Sequence, residues 1–379
     1  MIQLPSKENC CGCMGCKDIC PVDAINAQKD SYGFIYPSVN KDSCMDCGLC
    51  MSKCAFSNKD TNHNEPQSVW AYRINSKNAL KESTSGGVFT ALSDIVLAKN
   101  GAISGCVLND DFSVCHILTY DENVRNKMRR SKYVQSDTNG IYKKIKDVLK
   151  DGTIVLFVGT PCQVAQIAEY LCDYREQLIL CDFLCHGVPN NDFFKAHIDF
   201  LEKIYTCDAK SYLFRGKKYG WNHMLEEIVL KNGKVKGSKK VQSYSKFFYS
   251  GVSLRPSCEN CHYRSMNRSS DITIGDFWGI EKIIGKTDNC GYSLIMANTL
   301  RGEEIVQQLK SCGEIFSVDK ETIYNRVCEP LRPCKIDKEE FWDLYLKDGY
   351  SGVVKKYTDT SVKSEIIHQV KKTIKRALK

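Results

Sequence analysis

From residue 69 onward, short apolar runs alternate with amphipathic stretches, and this rhythm sets the expected architecture. Residues 69–74 read as a strand and 84–99 as a helix that stops near Gly101. Residues 102–108 and 113–120 read as strands, and Ile141, Ile145, Val148 and Leu149 mark one face of a helix. The run TIVLFV at 153–158 suits a buried strand, with a helix starting at Pro161. Residues 177–184 form another apolar strand, followed by a helical pattern after Pro189. Strand and helix in alternation predict an α/β domain. Past about residue 205 strands and loops mix, and the pattern specifies an irregular C-terminal part without a topology.

Residues 58–68 are polar and contain Pro66, the composition of a linker. The expected organisation is a cysteine-built unit at 1–57, the linker, and an α/β domain in two parts, 69–160 and 161–330. A tail at 331–379 completes it. The end of that tail, KSEIIHQVKKTIKRALK, places Ile366, Val370, Ile374 and Ala377 on one helical face with lysines elsewhere. Such a basic amphipathic helix packs on its own domain or makes peripheral contact with an anionic membrane.

Composition changes the picture at one point. Of the 379 residues, 42% are hydrophobic and 26% charged, as in ordinary globular proteins, but 22 are cysteine. MIQLPSKENC has no apolar signal core, so many thiols in a reducing compartment imply metal ligation and a cytoplasmic location. The net charge of +8 invites a nucleic-acid reading. Three cubanes, each carrying roughly two negative charges with its thiolates, would cancel most of that excess. No RNA-binding or zinc-finger signature appears, and nucleic acid is not an expected partner.

Cys10, Cys13, Cys16 and Cys20, followed by Pro21, form a C-x2-C-x2-C-x3-C-P run, and Cys44, Cys47, Cys50 and Cys54 repeat its spacing. In two-cluster ferredoxins the fourth cysteine of each run ligates the other cluster. The expected 4Fe–4S sets are therefore Cys10, Cys13, Cys16 and Cys54, and Cys44, Cys47, Cys50 and Cys20, in an α+β ferredoxin-like N-terminal domain. Zinc would not need two identical four-cysteine runs. Ala55 replaces the proline expected after the second run, and Cys11 falls outside both patterns as a bystander.

Four further cysteines stand out. Cys162 follows the strand 153–158 at a helix start, Cys185 ends the strand 177–184, and Cys258 and Cys261 form C-E-N-C. Strand ends in open α/β sheets are where ligands bind, and a helix N-terminus favours a thiolate. A third cluster and small packed core residues are both compatible with this spacing. Cys181 rivals Cys185 but lies inside the apolar stretch LILCDFL, where packing is expected.

The ferredoxin run is followed by STSGGVFTAL at 83–92, RSKYVQS at 130–136, VGTPCQV at 158–164 and CHGVP at 185–189. FRGKKYGW at 214–221, RPSCENCHY at 255–263, SDITIGDFWG at 270–279 and GYSLIMANT at 291–299 come after them. This order resembles the coenzyme F420 hydrogenase/dehydrogenase beta-subunit family over residues 1 to roughly 310. The resemblance implies a flavin-binding α/β fold with a third 4Fe–4S cluster on Cys162, Cys185, Cys258 and Cys261. It also implies FAD near Ser85, Gly86, Gly87, Ser131, Lys132 and Tyr133. Glycines at a helix start can present amides to a pyrophosphate, and Lys132 can offset its charge. No G-x-G-x-x-G follows a strand, so a Rossmann NAD site is not expected.

A flavin turns single electrons into a hydride. The expected function is an FAD-dependent reductase fed by ferredoxin or another one-electron carrier. Its substrate would be a small molecule or glycan, because relatives with a fused ferredoxin occur among polysaccharide genes. The alternatives are an F420-dependent dehydrogenase or hydrogenase beta subunit, and an electron-transfer subunit that docks on a catalytic partner. His186, Tyr133 and His223 are the candidate proton donors. Asp276 and Trp278 are candidates to line the flavin pocket, or else a packed strand-ending turn.

Overall fold

A computed structural model describes residues 2–57, 65–223, 225–285 and 288–361, with positions 367 and 370. Most of the expected linker and nearly all of the basic helix at 363–379 lie outside the described residues.

The N-terminal segment holds one antiparallel hairpin, β1 (Ile25–Lys29) and β2 (Ile35–Val39), and two short helices, Gly15–Ile19 and Leu49–Ser52. Eight strands build the main sheet. They are β3 (Ser68–Ile74), β4 (Ala102–Leu108), β5 (Val114–Thr119), β6 (Val155–Gly159) and β7 (Leu178–Phe183), then β11 (Ile272–Asp276), β12 (Ser293–Ala297) and β13 (Gly313–Val318). A separate antiparallel sheet contains β8 (Ala209–Gly216), β9 (Leu225–Leu230) and β10 (Val235–Lys236). The main sheet runs β13-β3-β12-β11-β7-β6-β4-β5, and its centre, β11 to β4, is parallel. The sheet therefore takes strands from both sides of residue 160.

Alternation along the central strands explains the layers. Val155 and Phe157 of β6 face the helices Ile141–Lys150 and Pro161–Tyr170, while Leu156 faces the helices Val88–Leu97 and Leu300–Leu309. Cys181 is fully buried in the second of these layers, in packing rather than in a thiol cluster. A third, aromatic core joins β8 and β9 to the helices Asn191–Tyr205 and Lys338–Tyr357 through Phe193, Phe194, Phe214, Phe341 and Trp342. Among the described residues no helix is long and apolar enough to cross a membrane.

The helix expected over 84–99 begins later, at Val88. Gly86 packs so tightly that a Cβ there would lie 2.1 Å from the Tyr72 carbonyl oxygen, and Gly87 caps the helix with φ at +89°. Residues 83–87 are thus a loop pinned to the sheet.

The N-terminal segment is docked on the larger domain. The buried Arg255 guanidinium donates to the carbonyls of Cys10 (2.9 Å) and Ile35 (2.8 Å) and to the Gln135 side chain (2.9 Å). Thr138 donates to the Cys13 carbonyl, and Asp18 accepts the amides of Gly140 and Tyr142. Buried Gln166, on the helix that begins at Pro161, bonds the carbonyl of Lys53 (2.6 Å) and the amide of Ala55 (3.2 Å). That last contact explains the missing proline, because proline has no N–H to give. Ala55→Pro strands the buried Gln166 oxygen, and we expect a loss of about 1–3 kcal/mol in denaturant unfolding. An unchanged midpoint would show that the bond contributes nothing.

Candidate functional site

The carboxyl ends of β6, β7 and β11 lie side by side in the parallel part of the sheet. They carry Cys162, Cys185 with His186, and Asp276 with Trp278, respectively. Ser293, at the start of β12, pairs with Asp276 and with Tyr72, which brings the 83–87 loop to the same edge. One sheet edge thus collects motifs far apart in sequence, where α/β folds place ligands.

The twelve expected ligand cysteines interact electrostatically within the three expected sets, and Cys13 also interacts with Cys162 across two of them. The Cys16 thiol lies within electrostatic reach of Cys10, Cys13 and Cys54, and Cys10 within reach of Cys13 and Cys54. Cys50 has the same relation to Cys20, Cys44 and Cys47, and these four line one apolar cavity with Val22, Ile25 and Leu49. Cys185 is within reach of Cys162, Cys258 and Cys261. The first group sits at the seam with the larger domain, since Ala55 and Phe56 pack against Cys162, Cys261 and Tyr263. The second lies outward, with Cys47 exposed.

Among the described residues no group of three or more His, Cys, Asp or Glu is gathered tightly enough for a single metal ion. A cubane binds its thiolates on four separate irons, so its ligands stand further apart than those of one ion. The residues around the third group fit such an anionic cluster. Among the described residues, Arg264 Nε and Arg268 Nε are buried without hydrogen-bond partners, Arg268 Nη1 lies 3.7 Å from the buried Asp182 carboxylate, and Arg264 and Arg268 act electrostatically on Cys261. Unpaired buried donors beside thiols suit a group that brings negative charge and acceptor sulfurs.

Burial pushes the Cys10 thiol up to about 11 and Cys258 up to about 12, and it raises Cys16 and Cys185 as well. A cluster bound on these thiols would have to displace their protons. Cys162 departs from this trend. Its thiol is lowered to about 7, first by a hydrogen bond from Cys11 and then by the Thr160 hydroxyl, 3.1 Å away. A capping box between Thr160 and Gln163 fixes that helix start.

Beyond Cys185 an aromatic path leads to a basic pocket. His186 lies against Phe248 and Tyr249, with ring centroids 5.0 and 5.6 Å apart, and Tyr133 stacks on Phe248 at 4.4 Å. The Tyr133 hydroxyl accepts a bond from Tyr249 at 3.3 Å. Burial lowers His186 to about 4, aided by the Arg264 charge, and holds Tyr133 well above the usual phenol range. Both are therefore uncharged at neutral pH, and they share one aromatic cluster, whereas His223 is exposed. Arg215 forms an ion pair with Asp276, which also accepts the Trp221 indole N–H at 3.0 Å. Trp221 and Trp278 stack at 4.3 Å, with Trp221 buried and Trp278 exposed on its outer face beside the charged pair. A cavity of about 250 Å³ opens here, lined by Arg129, Arg130, Ser131, Lys132, Phe214 and Arg215 among others.

Two expectations for anion contacts change. The Gly86 amide donates to the Ser293 hydroxyl at 2.9 Å, and Ser85 donates to the Tyr292 carbonyl, so both groups already serve to pin the loop. Lys132 spends its ammonium on the carbonyls of Lys127, Met128 and Arg129 at a helix end. Among the described residues Arg129 offers a cationic donor instead, since its Nε is buried without a partner. Arg129 and Arg215 were not singled out by sequence. Arg215 stands beside Gly216 in FRGKKYGW, the one signal that could have pointed to it.

A comparison with curated proteins finds no match. Among solved structures, one chain of the xenon-derivatised F420-reducing [NiFe] hydrogenase complex from Methanosarcina barkeri aligns at 15% identity with a TM-score of 0.44. The alignment covers 79% of this chain and 94% of that chain, a likeness too low to place residues. Residues 152–323 match the family described as the C terminus of the coenzyme F420 hydrogenase/dehydrogenase beta subunit. That segment, just under half of the chain, carries Cys162, Cys185, Cys258, Cys261, Asp276 and Trp278, and over it the chain is similar to the coenzyme F420 hydrogenase/dehydrogenase beta-subunit family.

Proposed function

We propose that this chain is an iron–sulfur electron-transfer protein that connects a one-electron carrier to a deazaflavin or flavin at the sheet edge. The observation that carries the reading is the family match over 152–323, the segment that contains the third thiol group and the Asp276 turn. Cubanes on the three thiol groups supply one-electron transfer, and a flavin or deazaflavin supplies the exchange of electron pairs as hydride.

The chain's own residues have distinct tasks in this reading. Cys10, Cys13, Cys16 and Cys54 hold the first cluster, Cys20, Cys44, Cys47 and Cys50 the second, and Cys162, Cys185, Cys258 and Cys261 the third. Arg129, Arg130 and Arg215 bind the phosphate-bearing part of the cofactor. Ser85, Gly86, Gly87 and Ser131 shape the wall of its site, while Lys132 and Asp276 hold the surrounding elements in place. Tyr133, at neutral pH a phenol, holds a proton where a substrate or cofactor atom can take it. The Trp221–Trp278 stack walls the site toward β11.

The test uses anaerobically reconstituted full-length protein. Reduced F420 is expected to bleach the cluster absorbance, whereas NADH and NADPH are not. Rapid bleaching by a nicotinamide would overturn the cofactor assignment. If FAD co-purifies and F420 has no effect, the pocket holds FAD and the chain is the FAD-dependent reductase instead.

A further inference from the structure

Inward and outward residues alternate along β9, and its inward face carries Glu226, Ile228 and Leu230. Ile228 and Leu230 join the aromatic core, so a carboxyl occupies a position that the pattern reserves for an apolar side chain. Glu226 is 1% exposed. The Gln242 side chain clasps its backbone, accepting the Glu226 N–H at 3.2 Å and donating to the Glu226 carbonyl at 2.7 Å. The carboxyl Oε2 accepts the Ser245 amide at 3.1 Å, and Oε1 has no hydrogen-bond partner among the described residues. Gln242 and Ser245 stand at the start of the helix Ser243–Ser250, so this one residue fastens the helix start to the β8–β9 sheet.

The groups that face Glu226 bring no counter-charge. Tyr212 of β8, Tyr244 and Tyr249 of the helix Ser243–Ser250, and Tyr350 of the helix Lys338–Tyr357 act on it electrostatically. Burial holds all four phenols above their usual range, so they are uncharged at neutral pH. His197, on the helix Asn191–Tyr205, meets the Tyr212 hydroxyl at 3.2 Å and is lowered by burial to about 3, so it is neutral too. Among the described residues no cation acts on the carboxyl. A buried carboxylate with one amide donor and no cation is costly, which favours the neutral acid. Burial accordingly raises Glu226 to about 8. The fastened helix leads to the candidate site. Tyr244 donates to the Tyr133 carbonyl at 2.7 Å, and Phe248 and Tyr249 are the rings that pack against Tyr133 and His186. We propose that Glu226 is a positioning residue that works in its protonated form. Its neutral carboxyl fastens the helix Ser243–Ser250 to β9, and loss of the proton loosens that helix together with the Tyr133 segment it supports. The proposal goes beyond the electron-transfer reading and needs no cluster or cofactor.

The test is hydrogen exchange read by mass spectrometry on the anaerobically reconstituted full chain, from about pH 6 to about pH 9, corrected for intrinsic exchange. The closed clasp keeps a proton that the open one releases, so opening becomes easier as pH rises. Protection over 243–250 should fall about tenfold per pH unit up to about pH 8 and level off above it, and 130–136 should follow. Glu226→Gln keeps a neutral acceptor for the Ser245 amide and should hold the protection of both segments constant across the range. The helix Leu300–Leu309, which packs in a different core, should not respond in either protein. Flat protection in the parent overturns the proposal, whether or not the variant folds. An equal slope in Glu226→Gln would assign the pH effect to another group and overturn it as well. So would a loss over 243–250 that 130–136 does not share, or a parallel loss over Leu300–Leu309.

Discussion

Replacing Cys258 by alanine removes about four iron atoms per chain and leaves the signals of the two N-terminal clusters in place. The expectation follows from where Cys258 stands. It closes the short turn Pro256–Cys258, and its thiol interacts electrostatically with Cys162, Cys185 and Cys261, all in the larger domain. An alanine there takes one corner from the third group and leaves the other two complete. Iron analysis together with EPR of the reduced protein reads the outcome. Loss of an N-terminal signal, with the third retained, would mean that the grouping of thiols is wrong.

Arg255→Ala should have an effect of similar size by a different route. The guanidinium is fully buried, lies 4.1 Å from the Tyr36 ring centroid, and satisfies two backbone carbonyls of the N-terminal segment and the Gln135 amide oxygen. A Cβ at Gly12 would lie 2.7 Å from it, so the segment is shaped around the cation. Removing it leaves several buried acceptors without donors, which costs about 3–5 kcal/mol. With a protease site engineered into residues 58–64, the two pieces of the cleaved parent should co-migrate in gel filtration. In Arg255→Ala they should separate. Co-migration of the variant's pieces would show that the remaining contacts suffice.

How far this was legible in the sequence depended on range. The strands at 102–108 and 153–158 and the helix at Pro161 came from local alternation, and β4, β6 and that helix lie where the pattern placed them within two residues. The three expected cysteine sets needed either a repeat spacing or the resemblance. The C-terminal topology was not legible, because β11 and β12 insert between β7 and β3, with Ile272 beside Cys181 and Ser293 beside Tyr72, pairings over distances along the chain that no local pattern encodes. The loop at 83–87 looked like a helix start because glycine pairs occur in both, and only the close approach to Tyr72 distinguishes them.

The Ala55–Gln166 contact has a consequence for comparing sequences. An alanine after the eighth ferredoxin cysteine and a glutamine at position 166 answer each other, one by offering an amide and the other by accepting it. In an alignment of chains built this way the two positions should vary together. A lineage that regains proline at 55 frees position 166 to drift, and a lineage that loses the glutamine removes the reason to avoid proline. Such a covarying pair, 111 positions apart, would serve as a signature of a docked ferredoxin segment in chains for which no structure exists.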